Sequence, residues 1–211
     1  EFRLGELGSS NTKNINLSDI EVIIHTAGRA HIMNDSSAHP IDEFRRVNTC
    51  GTLDLARLAA EAGVKRFIFL SSIKVNGEYT SPGIPFREEV VGPPSDPYAR
   101  SKYDAEIGLM RLTQTTDMEV VIVRPPLVYG PGVKGNFSAI MNLVKIGVPL
   151  PLGGLRNRRS LIALDNIVDF IRLCVNRDES PKAANETFVI SDGRDISTSE
   201  LLIEIAKAYG V

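Results

Sequence analysis

The chain has 211 residues, of which 43% are hydrophobic and 24% charged, with a net charge of −2 and no Trp. This length allows one well-packed domain, or one domain with an appendage. Because the net charge is small and Lys and Arg are scattered, nucleic acid is not expected to be the main partner. No apolar run approaches the roughly 20 residues of a membrane span, and no signal-peptide pattern opens the chain, so a cytoplasmic protein without membrane contact is expected.

The two cysteines, Cys50 and Cys174, are too few for a disulfide framework. Each lies in a stretch with periodic apolar residues. This predicts free, buried thiols in a reducing compartment.

After a polar, irregular start, the first two thirds of the chain alternate between short apolar runs and long helical patterns. Strands are predicted at 21–28, 64–72 and 118–126, and helices at 41–62 and 97–113. Strands separated by such helices form βαβ units with parallel strands and right-handed crossovers. Since the apolar runs are continuous rather than alternating, helices should cover both sheet faces, which predicts a doubly wound parallel α/β sheet.

Beyond Tyr129 the sequence becomes rich in Gly, Pro and Asn, which predicts a smaller lobe interleaved with the sheet domain. Helices are predicted at 137–146 and 165–176, followed by a strand at 186–191. Ser197 and Glu200 predict a capping box at the start of the last helix. The predicted division assigns 1–129 and 160–176 to the core, and 130–159 and 177–211 to the lobe.

Small and polar residues follow the three predicted strands of the core, as His25-Thr26-Ala27-Gly28, Ser71-Ser72 and Arg124-Pro125-Pro126. Ligands of an open parallel sheet bind outside the carboxyl ends of the strands. Any one of these endings is also how an ordinary strand stops. Three such endings at one edge of the sheet predict a ligand-binding site.

A Tyr and a Lys follow the second of these strand ends, in "SDPYARSK". Asp96 is a good N-cap and Pro97 a good first helical residue, so Tyr98 should lie at a helix start with Lys102 on the same face. A phenol with a pKa of about 10 is a poor base, but a nearby ammonium lowers that pKa. With Ser72 holding a substrate oxygen, Tyr98 could move the proton as an alcohol is oxidised or a carbonyl reduced beside a hydride carrier.

The strings "HTAG", "VNTCGTLDLARLAAEAGVKRFIFLSS", "PYARSK" and "RPPLVYGPG" together resemble the extended short-chain dehydrogenase/reductase superfamily, in register from about residue 21 to 170. The most similar group is the NAD-dependent nucleotide-sugar epimerases, dehydratases and 4-ketoreductases. The strings "SSIKVNGE" and "RPPLVYGPGVKGNF" resemble the bacterial branch that makes N-acetylated 6-deoxyhexose nucleotides for surface polysaccharides.

The resemblance implies a Rossmann-like core that binds NAD or NADP, with NAD favoured, and a lobe that binds a nucleotide-diphosphate sugar. It implies no metal, and a homodimer formed by the helices at 41–62 and 97–113. The catalytic residues it implies are Tyr98, Lys102 and Ser72. The cofactor contacts it implies are Ala27, Gly28, Asn48, Ser71, Tyr98, Lys102, Pro125 and Leu127. The substrate contacts it implies are Ser72, Asn136 and Arg159; Arg159 lies in "LRNRRS", where Arg156, Arg158 and Arg159 suit bidentate phosphate contacts.

The chain departs from the family pattern at several positions. Relatives often have Asn in place of Leu127 and Tyr in place of Asn76, so the sugar-facing contacts are expected to differ. The Gly-rich turn that binds the pyrophosphate is absent, so we expect that an N-terminal βα unit is missing and that the sequence does not distinguish NAD from NADP.

These features favour a 4-epimerase or 4-ketoreductase acting on a UDP-N-acetylhexosamine-type sugar. Dehydratases of this group usually carry an acidic pair after the catalytic Ser, where this chain has Ile73 and Lys74. The alternatives are a reductase of a non-sugar small molecule on the same fold, which would not need the Arg loop, and a non-catalytic NAD(P)-binding regulator, which would not need all of Tyr98, Lys102 and Ser72.

Overall fold

The computed structural model describes residues 16–30, 40–81, 83–133, 136–147 and 157–210. Its strands and longer helices are, in chain order, β1 (Val22–His25), α1 (Pro40–Phe44), a π-helix (Arg45–Gly51), α2 (Thr52–Glu61), β2 (Arg66–Leu70), α3 (Pro97–Leu112), β3 (Glu119–Arg124), β4 (Leu127–Tyr129), α4 (Asn136–Lys145), β5 (Leu161–Ala163), α5 (Leu164–Val175), β6 (Glu186–Val189) and α6 (Thr198–Tyr209). Short 3-10 turns occur at Ile73–Val75 and Pro181–Ala183.

The chain divides into two compact units, one of residues 1–125 and 170–189 and the other of 126–169 and 190–211. These bounds differ from the expected division at three places. Residues 126–129, expected in the core, fall in the second unit, which contains β4. Residues 160–169 fall in the second unit, because β5 pairs with β4 there. Residues 177–189 fall in the first unit, because β6 pairs with β3 in the main sheet.

The first unit is built on a four-stranded parallel sheet with the order β1-β2-β3-β6. Val22 pairs with Arg66, Arg66 with Glu119, and Val121 with Glu186. All four strands therefore run in one direction, which confirms the predicted parallel α/β sheet and places the three polar strand ends at one edge. Both faces of β2 and β3 are buried, as the continuous apolar runs predicted.

One sheet face packs against α2 and α3. The buried apolar side chains of this face form one cluster, in which residues of α2 and α3 contact alternate residues of β2 and β3. Its members include Leu55, Ala56, Ala59, Ala105, Leu109, Phe67, Phe69, Val120 and Ile122. Burial of this apolar area is the main force that holds α3 on the sheet, because each fully buried side chain of this size contributes about 1.5–3 kcal/mol. The position of Tyr98 and Lys102 therefore follows from the packing of their helix.

The segment predicted as one helix at 41–62 forms α1, the π-helix and α2 in succession. The wider i→i+5 turns change the phase of the side chains, so Asn48 and Thr49 face inward while Cys50 is exposed. The prediction of two buried thiols is therefore wrong for Cys50, whereas Cys174 is buried. Gly63, with φ +82°, ends the helical segment directly after the predicted helix at 41–62.

In the second unit β4 and β5 pair in parallel, and α4 packs against α6. Its core contains Phe137, Val144, Leu161, Leu201 and Ile205. The predicted capping box is present: the Ser197 side chain accepts from the Glu200 backbone, and the Glu200 carboxylate accepts from the Ser197 backbone. Among the described residues, no helix combines the length and the apolar character that crossing a membrane requires.

The exposed carboxylate of Asp192 accepts hydrogen bonds from residues of and next to the strand pair β4–β5 of the second unit. Asp192 accepts hydrogen bonds from Tyr129 Oη at 2.8 Å, from Asn166 Nδ2 at 2.7 Å and from the Ala163 amide. Desolvation raises the Asp192 pKa, but these bonds together lower it by more, so that its net direction is down; the bond to Asp192 also raises the pKa of Tyr129. The loop after β6 is thereby fixed to both β4 and β5.

Candidate active site

The start of α3 has the predicted capping geometry. The Asp96 side chain accepts a hydrogen bond of 2.8 Å from the Ala99 amide, and Pro97 occupies the first turn. Tyr98 is half-buried and meets the edge of the Phe44 ring at a centroid distance of 6.1 Å. The cap and this contact hold the phenol at a defined position on the helix start.

Ser72 lies beside this phenol, just beyond the carboxyl end of β2. Its oxygen accepts a 3.3 Å hydrogen bond from the Lys74 amide at the start of a 3-10 turn, and its side chain is close enough to the Tyr98 phenol to affect the Tyr98 pKa. Burial raises the pKa of Tyr98, while the nearby Ser72 side chain, as a hydrogen-bonding partner of the phenol, lowers it and the Asp96 charge raises it further. The net direction is opposite to the lowering expected from Lys102, because desolvation of the phenolate outweighs the hydrogen bond.

Lys102 follows one helical turn after Tyr98, and only 3% of it is exposed. Its Nζ donates to the Leu70 carbonyl oxygen at 3.0 Å and lies 4.6 Å from the centre of the Phe69 ring. Burial lowers the Lys102 pKa to about 8, against the attraction of Glu106, which raises it. The ammonium is thus held by a carbonyl and an aromatic face at the carboxyl end of β2.

His25 packs behind this group, at the end of β1. Its ring stacks on Phe69 with a centroid distance of 5.8 Å and an interplanar angle of 17°, and Nε2 is 2.9 Å from Thr52 Oγ1. Burial, and secondarily the charge of Lys102, lower the His25 pKa to about 4. His25 is therefore neutral at physiological pH, beside the buried ammonium.

The loop after β1 passes close to Lys102. A Cβ added to Gly28 would lie 3.1 Å from Asn48 Oδ1 and 3.2 Å from Lys102 Nζ, so either neighbour would have to shift by a few tenths of an ångström to admit a side chain there. Asn48 is fully buried; its Oδ1 accepts from the Arg29 amide at 2.7 Å, and its Nδ2 donates to Arg29 O and Ser101 Oγ. Both amide hydrogens of Asn48 are used in this way, so it supports the loop rather than offering a donor to a ligand.

The remaining predicted contacts of the first unit lie at the same sheet edge. Ala27 is exposed beside Gly28. Ser71 is 5% exposed, and its Oγ has no hydrogen-bond partner within the described ranges. Pro125 is buried, and its carbonyl accepts from the Ile73 amide at 2.9 Å, which links the ends of β2 and β3.

Three predicted contacts belong to the second unit. Leu127 opens β4 and is 38% exposed. Asn136 opens α4, but its side chain is outside the described residues, as is Arg156. Arg159 is exposed and its backbone bridges Ile196, and Arg158 is exposed beside it.

Two buried charged residues near Lys102 were not predicted as part of the site. Glu106, one turn further along α3, receives hydrogen bonds from the Arg124 guanidinium at the end of β3. The spacing Lys102-x-x-x-Glu106 was a signal available in the sequence, since it places the two side chains on one helical face. The sequence pattern identifies Arg124 only as part of the end of the third predicted strand.

Comparison with known proteins gives the family. The sequence matches the NAD dependent epimerase/dehydratase family over residues 5–191. It is 49% identical to the UDP-glucose 4-epimerase of Vibrio cholerae over 98% of this chain and 62% of that protein. Among solved structures, it resembles a double mutant of DesIV, a dTDP-glucose 4,6-dehydratase from Streptomyces venezuelae with NAD bound, with a TM-score of 0.79 and 25% identity over 98% of this chain and 63% of that one. RMD from Pseudomonas aeruginosa, complexed with NADPH, gives a TM-score of 0.74 and 25% identity over 90% and 65% of the two chains.

The protein belongs to the NAD-dependent epimerase/dehydratase family, within the extended short-chain dehydrogenases/reductases. This confirms the resemblance drawn from the motifs. The chain spans about three fifths of the length of the Vibrio epimerase and of the DesIV chain.

Proposed function

We propose that the protein is an NAD(P)-dependent 4-epimerase of a nucleotide-diphosphate hexose, with hydride transfer at C4 of the sugar. The observation that carries this proposal is the placement of Ser72, the Tyr98 phenol and the buried ammonium of Lys102 together at the carboxyl edge of a parallel sheet. The 49% identity to a UDP-glucose 4-epimerase supports epimerisation. Ile73 and Lys74 after Ser72 disfavour the 4,6-dehydratase alternative.

The residues present fit a dinucleotide cofactor. The exposed Ala27, the Gly28 backbone without a side chain and the Ser71 hydroxyl, which has no hydrogen-bond partner among the described residues, together describe a backbone that a ligand can approach closely. The residues proposed to hold it are Ala27, Gly28, Ser71, Tyr98, Lys102, Pro125 and Leu127, with Asn48 supporting the loop. When bound, NAD or NADP supplies the acceptor and donor of the hydride.

Residues of this chain would remove and return the proton of the C4 hydroxyl. The Ser72 hydroxyl would hold the C4 oxygen of the sugar, and Tyr98 Oη would take its proton and later return it. Lys102, with a pKa of about 8, is mostly protonated at pH 7, and its charge favours the phenolate. Since burial raises the Tyr98 pKa in this structure, the phenol is the resting form, and deprotonation would need further positive charge at the site.

The substrate class we propose is a UDP-linked hexose, narrowed by the motif resemblance to the UDP-N-acetylhexosamine type used in surface-polysaccharide synthesis. Asn136 and Arg159 are the proposed diphosphate contacts; Arg159 offers an exposed guanidinium suited to a phosphate. We also propose a cytoplasmic homodimer that pairs the α1–α2 segment and α3 with their copies.

The test is to incubate the full-length protein with UDP-glucose, UDP-N-acetylglucosamine and a 4-keto-6-deoxy UDP-sugar, each with NAD(H) or NADP(H). The absorbance of the reduced cofactor and the sugar configuration by NMR would be followed together. Inversion at C4 without net cofactor consumption is expected. Net consumption would identify a ketoreductase instead, and cofactor binding without turnover of any sugar would favour a non-catalytic regulator.

A further inference from the structure

A buried ion pair lies next to the proposed catalytic helix face. Arg124 Nη2 is 2.6 Å from Glu106 Oε2, and Nε is 3.0 and 3.2 Å from the two carboxylate oxygens. The Arg124 and Glu106 side chains are only 6% and 4% exposed. A pair at this depth is costly to desolvate, so its presence beside the site is not explained by stability alone.

The guanidinium cannot turn away from this carboxylate. Its third nitrogen, Nη1, donates to Asn76 Oδ1 at 3.2 Å and to the Glu88 carbonyl oxygen at 2.8 Å. Asn76 in turn donates to the Arg87 carbonyl oxygen. All three guanidinium nitrogens are therefore engaged, and Arg124 joins α3 to the loop that follows Ser72.

Lys102 forms no ion pair within the described ranges, although Glu106 is four residues away on the same helical face. An unpaired Glu106 would be expected to bond the ammonium directly and draw Nζ away from the Leu70 carbonyl. The bidentate contact with Arg124 prevents this, while the carboxylate still acts on Lys102 through its charge.

We propose that Glu106 and Arg124 are positioning residues for Lys102: Arg124 holds the Glu106 carboxylate off the ammonium, and Glu106 keeps that ammonium charged. This inference rests on the proposed function only for the use that Lys102 has in the reaction. The charge and position of Lys102 can be measured without turnover, so the two proposals fail separately.

Two other titratable groups that face Lys102 in the described part of the chain are His25 and Tyr98. His25 faces it from β1 and is neutral above its pKa of about 4. Tyr98, on the same helix, has a pKa raised above its ordinary value, and β2 presents the Leu70 carbonyl and the Phe69 ring. Glu106 and Arg124 are thus the charges whose removal should change the Lys102 midpoint.

The experiment is an NMR titration of lysine ¹³Cε signals in the full-length protein, with Lys102 assigned by the signal lost in Lys102→Arg. Glu106→Gln is nearly isosteric and should lower the Lys102 midpoint by about one pH unit, the low end of the effect of a close opposite charge. Arg124→Met should raise it, because Glu106 then pairs with Lys102. Arg124→Lys, which keeps a cation, should lie nearer the wild type.

Asp104→Asn is the matched control, since it removes one carboxylate from the same helix at a part-exposed site where Asp104 pairs with Arg100. It should leave the Lys102 midpoint unchanged. A midpoint for Glu106→Gln equal to that of the wild type, in a variant with an unchanged melting temperature, would overturn the proposal. A purely structural role would lower the melting temperature of the Glu106 variant without moving this midpoint.

Discussion

At the scale of single residues, the proposed chemistry depends on a phenol whose proton must move in a desolvated place. Burial raises the Tyr98 pKa, and the hydrogen bond with Ser72 only partly offsets this. A raised pKa suits a group that must return a proton, whereas removing one requires nearby positive charge. Lys102, four residues after Tyr98 on the same face of α3, supplies a positive charge there.

Removal of the Tyr98 hydroxyl therefore tests the proposed proton transfer. Tyr98→Phe should lower kcat by about 10²–10⁴-fold, the usual contribution of general acid–base catalysis, with little change in KM. Steady-state kinetics with the active sugar would measure both. Tyr103→Phe, which removes a hydroxyl from the same helix, is the control and should keep wild-type kcat. Full turnover by Tyr98→Phe would show that another group moves the proton.

His25 should make the protein acid-sensitive. Its folded-state pKa of about 4 lies below the ordinary 6.5, so the unfolded chain binds the proton more readily and stability falls as pH drops from 6.5 to 4. A pKa difference of this size corresponds to a loss of about 3 kcal/mol in the free energy of unfolding. His25→Gln cannot take up the proton, so its free energy of unfolding, measured by urea denaturation, should fall less than that of the wild type across this range. Equal slopes for the two proteins would contradict the assignment.

Gly28 should matter for cofactor binding because of the space it leaves. Gly28→Ala would place a Cβ 3.1–3.2 Å from Asn48 Oδ1 and Lys102 Nζ, which forces one of them to move. We expect the Kd for NAD(H) to rise by about tenfold or more, which corresponds to a loss of about 1.4 kcal/mol or more of binding free energy. Fluorescence titration with NADH would measure it. Gly92→Ala is the control, since nothing lies within 4 Å of a Cβ there.

At the scale of elements, the start of α3 is where local sequence and the site coincide. Asp96 accepts from the Ala99 amide, Pro97 follows, and the first turn carries Tyr98. The cap satisfies an amide that has no partner within the helix, and it sets the direction in which the chain enters. Disturbing it should affect both stability and the position of Tyr98.

Asp96→Ala is expected to cost about 1 kcal/mol of stability and also to lower kcat, because the first turn would fray next to Tyr98. Ser197→Ala removes a comparable cap from α6. It should cost a similar amount while leaving kcat unchanged. Thermal melts and kinetics on both variants would separate the two effects, and equal kcat for both would show that the cap does not position Tyr98.

At the scale of the whole molecule, the two edges of the main sheet carry different tasks. The carboxyl edge gathers the candidate site. At the amino edge, the fully buried Arg66 binds the Glu119 carboxylate at 2.8 Å, the Cys174 carbonyl oxygen and Ser180 Oγ. Arg177 also pairs with Glu119, and these partners together lower the Glu119 pKa. This network joins segments more than 100 residues apart in sequence.

Breaking this network should affect stability without changing the chemistry. Arg66→Met leaves Glu119 without its buried partner and removes the guanidinium donor to the Cys174 and Ser180 carbonyl oxygens, at an expected cost of about 3–5 kcal/mol. The kcat of the folded fraction at low temperature should equal that of the wild type, because the proposed site is at the other sheet edge. Arg177→Met removes only the exposed partner and should cost about 1 kcal/mol or less. Similar melting temperatures for the two variants would contradict the buried role of Arg66.

Features set by neighbouring residues could be read from the sequence. The strands, the caps of α3 and α6 and the end of the helical segment at Gly63 depend on periodicity, on side chains within three positions and on backbone freedom. The three strand ends at one edge also followed, because parallel strands share their direction. β4 and β5 were not predicted, since three residues are too few to show a period.

Features that depend on distant residues required the tertiary structure. The pairing of β6 with β3, the exposure of Cys50 and the Arg124–Glu106 pair each depend on which segments meet, and local patterns do not encode this. The direction of the Tyr98 pKa also depended on burial, which outweighs the hydrogen bond with Ser72. The sequence by itself thus determined which residues form the strands and helices and where polar side chains follow them, and the tertiary structure decided how strongly those side chains are desolvated and paired, because desolvation is a property of the packed fold.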